Sequence, residues 1–234
     1  MSLLSNLNTD NNNVAGETDR LKGSGVLESG IYEMVIETIY LDQSKGGANN
    51  VNIHFKGPNG EKLRVTEYFT NKKGESTYEY QGTAYYLPGY NKFNALSLLG
   101  IGKELKDLST EEKQVNVYDF DQKKEVPKSK EVVMDLIGSK YYLGIVKTIE
   151  NKNKLVGNTY KPTNEKRIFN EIDKVFRHSD SLTVTEIKAG ETTPVFKDKW
   201  ETQWKGIDND KYKVIEGLSD EVDEAKPTPS GLFG

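Results

Sequence analysis

Apolar positions in this chain recur mostly at alternate residues, the spacing of β-strands rather than helices. Residues 31–41 read IYEMVIETIYL. On an extended chain Tyr32, Met34 and Ile36 fall on one side, and Ile31, Val35 and Ile39 on the other. Such a run of β-branched and aromatic residues predicts a strand with apolar groups on both faces. Gly46-Gly47 predicts a loop. Val51-Asn52-Ile53-His54-Phe55 alternates strictly, Pro58-Asn59-Gly60 is a turn, and Leu63, Val65 and the stretch to Phe69 return as the partner strand of a β-hairpin. His54 sits on the polar side of its strand, where a lone histidine faces solvent rather than serving as ligand or base.

Asn71-Lys72-Lys73-Gly74 is a second turn with positive charge at its tip, followed by Tyr78 and Tyr80 on one strand face. Phe93, Leu96, Leu98 and Leu99 predict a short helix over 91–99, stopped at Gly100. Ser109-Thr110-Glu111-Glu112 reads as a helix start or turn, and residues 115–120 as a strand. Residues 132–149 predict two strands or one long curved strand, with Gly138 and Gly144 as bends or bulges. Residues 168–176 fit a helix or a bulged strand, and residues 182–187 alternate as a strand. Trp200 and Trp204 lie in a polar stretch that they are placed to clamp onto the body. The sum is an all-β chain, β-rich with one or two short helices, whose core of about 160 residues is the size of one domain. Residues 1–25 read as a disordered N-terminal arm, 26–215 as the folded domain, and 216–234 as an acidic flexible C-terminal tail.

Charge changes this picture. The net charge of −4 argues at first against a nucleic-acid partner. Yet Glu216, Asp220, Glu221, Asp223 and Glu224 against Lys226 give residues 216–234 that whole −4, and the preceding chain holds 31 bases and 31 acids. A neutral body can still present a basic groove. The absence of cysteine excludes disulfides, thiolate zinc sites and thiol nucleophiles, and two histidines exclude a histidine-rich metal cage. No apolar run is long enough to span a bilayer, no basic-then-apolar leader opens the chain, and the mean hydropathy is −0.70. The expectation is a cytoplasmic protein with no cofactor, no metal and no membrane contact.

The candidate chemistry lies in the middle third. Lys62, Arg64, Lys72, Lys73 and Lys92 are interleaved with Tyr78, Tyr80, Tyr85, Tyr86 and Tyr90. Unpaired bases expose π-faces, on which aromatic rings stack for ~1–3 kcal/mol each. Phosphates need cations along a groove, which adds a salt-dependent term. Tyrosine suits an exposed stacking role because its hydroxyl tolerates water. Core packing competes for the same rings, and Tyr68, Phe69 and Phe93 look most core-like. A second candidate is the tail: Asp220, Glu221, Asp223 and Glu224 repel one another and stay solvated, so Leu232 and Phe233 are useful only if a partner receives them. A third is carboxylate pairs. Asp119 and Asp121 flank Phe120 on one strand side, and Glu171 and Asp173 do likewise if extended. Such pairs hold Mg²⁺ in nucleases, but no accompanying His or Lys pattern is present. Gly100-Ile101-Gly102-Lys103 lacks phosphate-loop spacing and more simply ends a helix.

The Gly30-Ile31-Tyr32 opening strand, the aromatic and basic β-core and the acidic tail ending near Phe233 resemble phage-encoded single-stranded-DNA-binding proteins with an oligonucleotide/oligosaccharide-binding (OB) fold. The resemblance implies an OB-fold-like Greek-key barrel that holds DNA across one face and its loops. It implies insertions, because the core exceeds a minimal barrel. It also implies a tail, with Asp220, Glu221, Asp223, Glu224 and Phe233 as its acidic and aromatic elements, that recruits replication or recombination proteins and modulates DNA binding. The acids here stand well before the ring, across Pro227-Thr228-Pro229-Ser230, and Gly234 follows it, which departs from the usual tail. The expected function is non-catalytic single-stranded-DNA binding that protects unpaired strands, and a homo-oligomer is compatible with it. The alternatives are a structural phage or virion protein and a Mg²⁺-dependent nuclease.

Overall fold

The computed structural model describes residues 25–119, 122–157 and 159–216. Strands β1 (Gly30–Gln43), β2 (Asn49–Lys56) and β3 (Lys62–Tyr68) form an antiparallel meander. A hairpin of β4 (Thr77–Tyr80) and β5 (Thr83–Tyr86) follows as a separate two-stranded sheet, then helix α1 (Pro88–Ile101). A second hairpin, β6 (Glu111–Asp119) and β7 (Lys124–Val132), leads to the long pair β8 (Lys140–Val156) and β9 (Thr159–Arg177). Helices α2 (Val184–Lys188) and α3 (Val195–Trp204) and the short β10 (Asn209–Asp210) complete the described chain.

The main sheet runs β3-β2-β1-β8-β9, with β10 lying parallel along β8 where β1 has ended. This is an all-β, OB-like Greek-key barrel left open between β3 and β9, and the two hairpins are its insertions.

The inner face buries Met34, Ile36 and Ile39 of β1, Val51, Ile53 and Phe55 of β2, Leu63 of β3, Leu143 and Ile145 of β8, and Ile172 and Val175 of β9. Fully burying one such side chain contributes about 1.5–3 kcal/mol. Ile39 is expected from alternation to lie opposite Met34 and Ile36. It lies with them because the β1–β2 register shifts between Ile36 and Thr38, and one extra residue on β1 reverses the alternation.

Helix α1 closes the barrel with Phe93, Leu96 and Leu99. It begins at Pro88, earlier than the predicted 91, because Pro suits a helix's first turn. Its second residue, Gly89, lies so close to the Tyr68 backbone that a Cβ has no room there. Its end is set by Gly102 (φ 71°), whose N–H donates to the Leu98 carbonyl, so the glycine-lysine stretch does end the helix. The buried Tyr141 hydroxyl donates to the Leu96 carbonyl at 2.8 Å, tying α1 to β8, and burial drives that phenol far above its ordinary range.

Two local expectations are corrected. Residues 182–187 are not a strand. Thr183 caps α2 reciprocally with Glu186 in a capping box, which outweighs the alternating apolar pattern. No helix starts at Ser109: β6 begins at Glu111, and the only turn of helix nearby is a 3-10 turn at Leu105–Asp107. Where alternatives stood open, residues 132–149 take the two-strand form, the end of β7 and the start of β8 parted by a 3-10 turn at Met134–Leu136, and residues 168–176 take the bulged-strand form. Trp200 clamps its segment as expected, from α3. Its indole donates to the Asp173 carboxylate at 2.6 Å and packs on Gly144, where an added Cβ would stand 2.8 Å from the ring.

Replacing Gly144 with Ala is therefore expected to lower unfolding free energy by about 1–3 kcal/mol through overpacking against Trp200, measured by urea denaturation. Replacing Thr183 with Ala is expected to cost about 1 kcal/mol and to expose the amides of α2 to faster hydrogen exchange.

Candidate nucleic-acid interface

Strand β3 is an edge strand whose inner side chains hold it to the barrel, so its alternate residues Lys62, Arg64, Thr66 and Tyr68 point outward. Tyr68 is thus exposed, and the expectation that it belongs to the core is overturned. Counting in twos from buried Leu63 already puts it on the solvent side. Phe69 and Phe93 do pack together, 5.6 Å between ring centroids. Along the open seam, Lys62, Arg64 and Lys92 meet Arg167 and Phe169 of β9 in a cleft of about 470 Å³. At the far end of β3 a second cleft joins Tyr68 to Lys72 and the foot of α1. Lys72 lies over Gly46 of the β1–β2 loop, and Lys73 stands exposed in the Asn71–Gly74 turn, with its N–H held by the Asn71 side chain at 2.8 Å.

The next element is the tyrosine hairpin. Its two-residue turn is made by Gln81 (φ 51°) and Gly82 (φ 75°), and two consecutive left-handed residues match the twist of a tight hairpin. Tyr78 pairs across with Tyr85, and Tyr80 with Thr83, which puts three tyrosines on one face. They are 46%, 60% and 46% exposed for Tyr78, Tyr80 and Tyr85. Tyr86 points to the opposite face and stacks on Tyr90 of α1, 4.4 Å between centroids and 12° between planes. That stack ties the hairpin to α1 while Tyr86 stays 51% exposed, and on the other face Tyr78 and Tyr85 touch each other at 5.8 Å between centroids beside the open Tyr80.

The cations are less uniformly available. Lys92 is half-buried and bonded to the Glu67 carboxylate at 2.8 Å. Burial pushes Glu67 up, Lys92 pulls it down, and nearby Glu171 pushes it up again. Lys92 serves the seam rather than a solvent-facing groove. Arg64 is exposed and bonded to Glu125 on the β6–β7 hairpin at 2.9 Å. This hairpin overhangs the outer sheet face and encloses a cleft of about 460 Å³ with Thr38, His54, Arg64 and Val115. His54 is not fully solvated there: its ring meets Tyr40 edge-on, and burial, then Arg64, lowers its pKa.

Sequence reasoning missed the outer part of β8–β9. Lys152, Lys154, Lys161 and Lys166 lie on this pair beyond the barrel, with Arg167 at its base and Tyr160 70% exposed near its tip. The alternating basic residues of KNKLVGNTYKPTNEK carried that signal. The described pair Glu171 and Asp173 does not converge on one site. Asp119 bonds Lys128, and Asp121 with Phe120 lies outside the described residues. Glu171 bonds Thr148, and Asp173 bonds Trp200. Among the described residues no group of three His, Cys, Asp or Glu could hold a metal ion, and no helix is long and apolar enough to cross a membrane. The tail residues Asp220, Glu221, Asp223, Glu224, Leu232 and Phe233 lie outside the described residues, as does the N-terminal arm up to residue 24.

His54 generates a pH dependence. Its folded pKa lies below the ordinary 6.5, so the unfolded chain takes up the proton first as pH falls. Stability is therefore expected to drop as pH falls from about 7 through 6.5 toward the folded value. A His54→Gln variant should flatten that slope in urea titrations run at several pH values.

No protein-family model matches this chain, and a search of curated proteins finds no match.

Proposed function

We propose that this chain is a non-catalytic single-stranded-DNA-binding protein of a phage replication or recombination module. The observation that carries the reading is the exposed tyrosine face of β4–β5, which follows a strand whose outward residues include Lys62 and Arg64. Three neighbouring rings held open to water are costly for a body that has no use for them. Unpaired bases are a ligand that fits them, because every base has a π-face. Lys62 and Arg64 line the seam cleft, and Lys72 lines the cleft at the foot of α1, next in the chain to the hairpin. Capture then proceeds by phosphate attraction, and stacking fixes the strand with little preference for sequence. The tail, with its net charge of −4, keeps its own residues away from the DNA and is the segment that draws replication or recombination proteins.

Anisotropy titration with labelled oligo-dT at increasing salt tests the reading. Binding is expected at low salt and is expected to weaken steadily as salt rises. Failure to bind, or binding indifferent to salt, contradicts it. The Tyr78→Ala, Tyr80→Ala double variant is expected to bind at least about tenfold more weakly, from ~1–3 kcal/mol per lost stack, with its circular dichroism unchanged. Deleting residues 216–234 is expected to leave DNA affinity equal or higher, measured in the same assay.

A further inference from the structure

Beyond Glu150 the strand β8 pairs with β9 alone, out to the Val156–Thr159 pair. At ~3.3 Å per residue this ribbon reaches roughly 20 Å from the barrel. Consecutive cross-strand pairs point to opposite faces. Near the tip, Leu155 opposes Tyr160 on one face, and Lys154 opposes Lys161 on the other. Leu155 is 55% exposed, and Tyr160 is the more open of the two. Directly opposed like charges weaken a ladder. Neither lysine has an acid within ion-pair distance among the described residues, and nearby Glu165 is bonded to Lys152 at 2.6 Å. The ribbon therefore carries an open apolar face and, back to back with it, a cationic face whose two tip lysines have no direct ion pair, with Glu165 acting on Lys154 only at a distance.

One nucleic-acid structure relieves both. Where a duplex gives way to a single strand, the last base pair has an uncovered π-face, and the overhanging strand turns away with its phosphates. We propose that the β8–β9 ribbon is a wedge for such single-strand–duplex junctions. Leu155 and Tyr160 cover the terminal base pair, and Lys154 and Lys161 meet the phosphates of the departing strand. Apolar side chains act against base steps in this way elsewhere. A plain single strand would leave the apolar face without its broad partner, and a blunt duplex would leave the lysines without a departing strand. Arg167 stands at the ribbon's base and shares the seam cleft with Lys62 and Arg64, so further cations lie where the overhang leaves the ribbon.

The inference rests on the single-strand reading above, and the test separates the two. Full-length protein is titrated by anisotropy against oligo-dT, a blunt duplex, and the same duplex carrying a dT overhang. The overhang substrate is expected to bind about fivefold tighter or more than oligo-dT of the overhang's length. The Leu155→Ser, Tyr160→Ser variant is expected to abolish that preference, and Lys154→Gln, Lys161→Gln to reduce it. Both should leave oligo-dT affinity within about twofold. All four positions are solvent-facing, and thermal melts verify that the variants fold. Binding to oligo-dT without junction preference overturns the wedge alone. A preference that survives both variants overturns it too, as does an equal loss on oligo-dT, which would make the ribbon a single-strand contact. No binding to oligo-dT overturns the underlying reading and the wedge with it.

Discussion

Every layer of this structure leans on β1. Its full outer half pairs with β2, and its other edge is shared in succession by β8, by the turn at residues 136–139 and by β7. A straight, regular strand could not serve those partners and also keep one apolar face inward. The single extra residue between Ile36 and Thr38 resolves the conflict. It bends the strand where its partner changes from β8 to β7 and keeps Met34, Ile36 and Ile39 in one core. A second register shift, at Gly144 in the β8–β9 pair, bends the other half of the sheet.

The seam and the hairpins are what the barrel leaves over. With β3 unpaired on its outer edge, its solvent side carries Lys62, Arg64 and Tyr68 without competing for core space. The tyrosine hairpin is attached by the Tyr86–Tyr90 stack and by the close approach of Gly89 to β3, which fix where its open rings stand relative to the basic residues. Glu67 and Lys92 neutralise each other inside the seam, so the positive character of this side comes from residues that point outward.

Much of this was legible in the sequence. The β2–β3 hairpin, its turn, the helix after the tyrosines and the openness of Tyr78 and Tyr80 follow from alternation and turn chemistry. The bulge in β1 was hidden because both sides of that run are apolar, so a one-residue slip leaves no trace in the pattern. Helix α2 was hidden by competition, since Thr183-x-x-Glu186 is a capping signal inside a stretch that also alternates. The engagement of Lys92 with Glu67 joins residues 25 positions apart and is visible only once α1 is laid against β3. The ribbon escaped notice for another reason: its lysines matter through being cross-strand neighbours, and that depends on a register that β-bulges shift.

The tyrosine hairpin shares no backbone ladder with the barrel. A lone two-stranded sheet is marginal in water, and its opening is a local event with its own small free energy. Warming should thus fray these rings well before the barrel melts, and any ligand that depends on them loses its grip while the bulk of the protein still scatters and fluoresces as folded. The same separation lets the identity of those rings change over evolution without taxing the core.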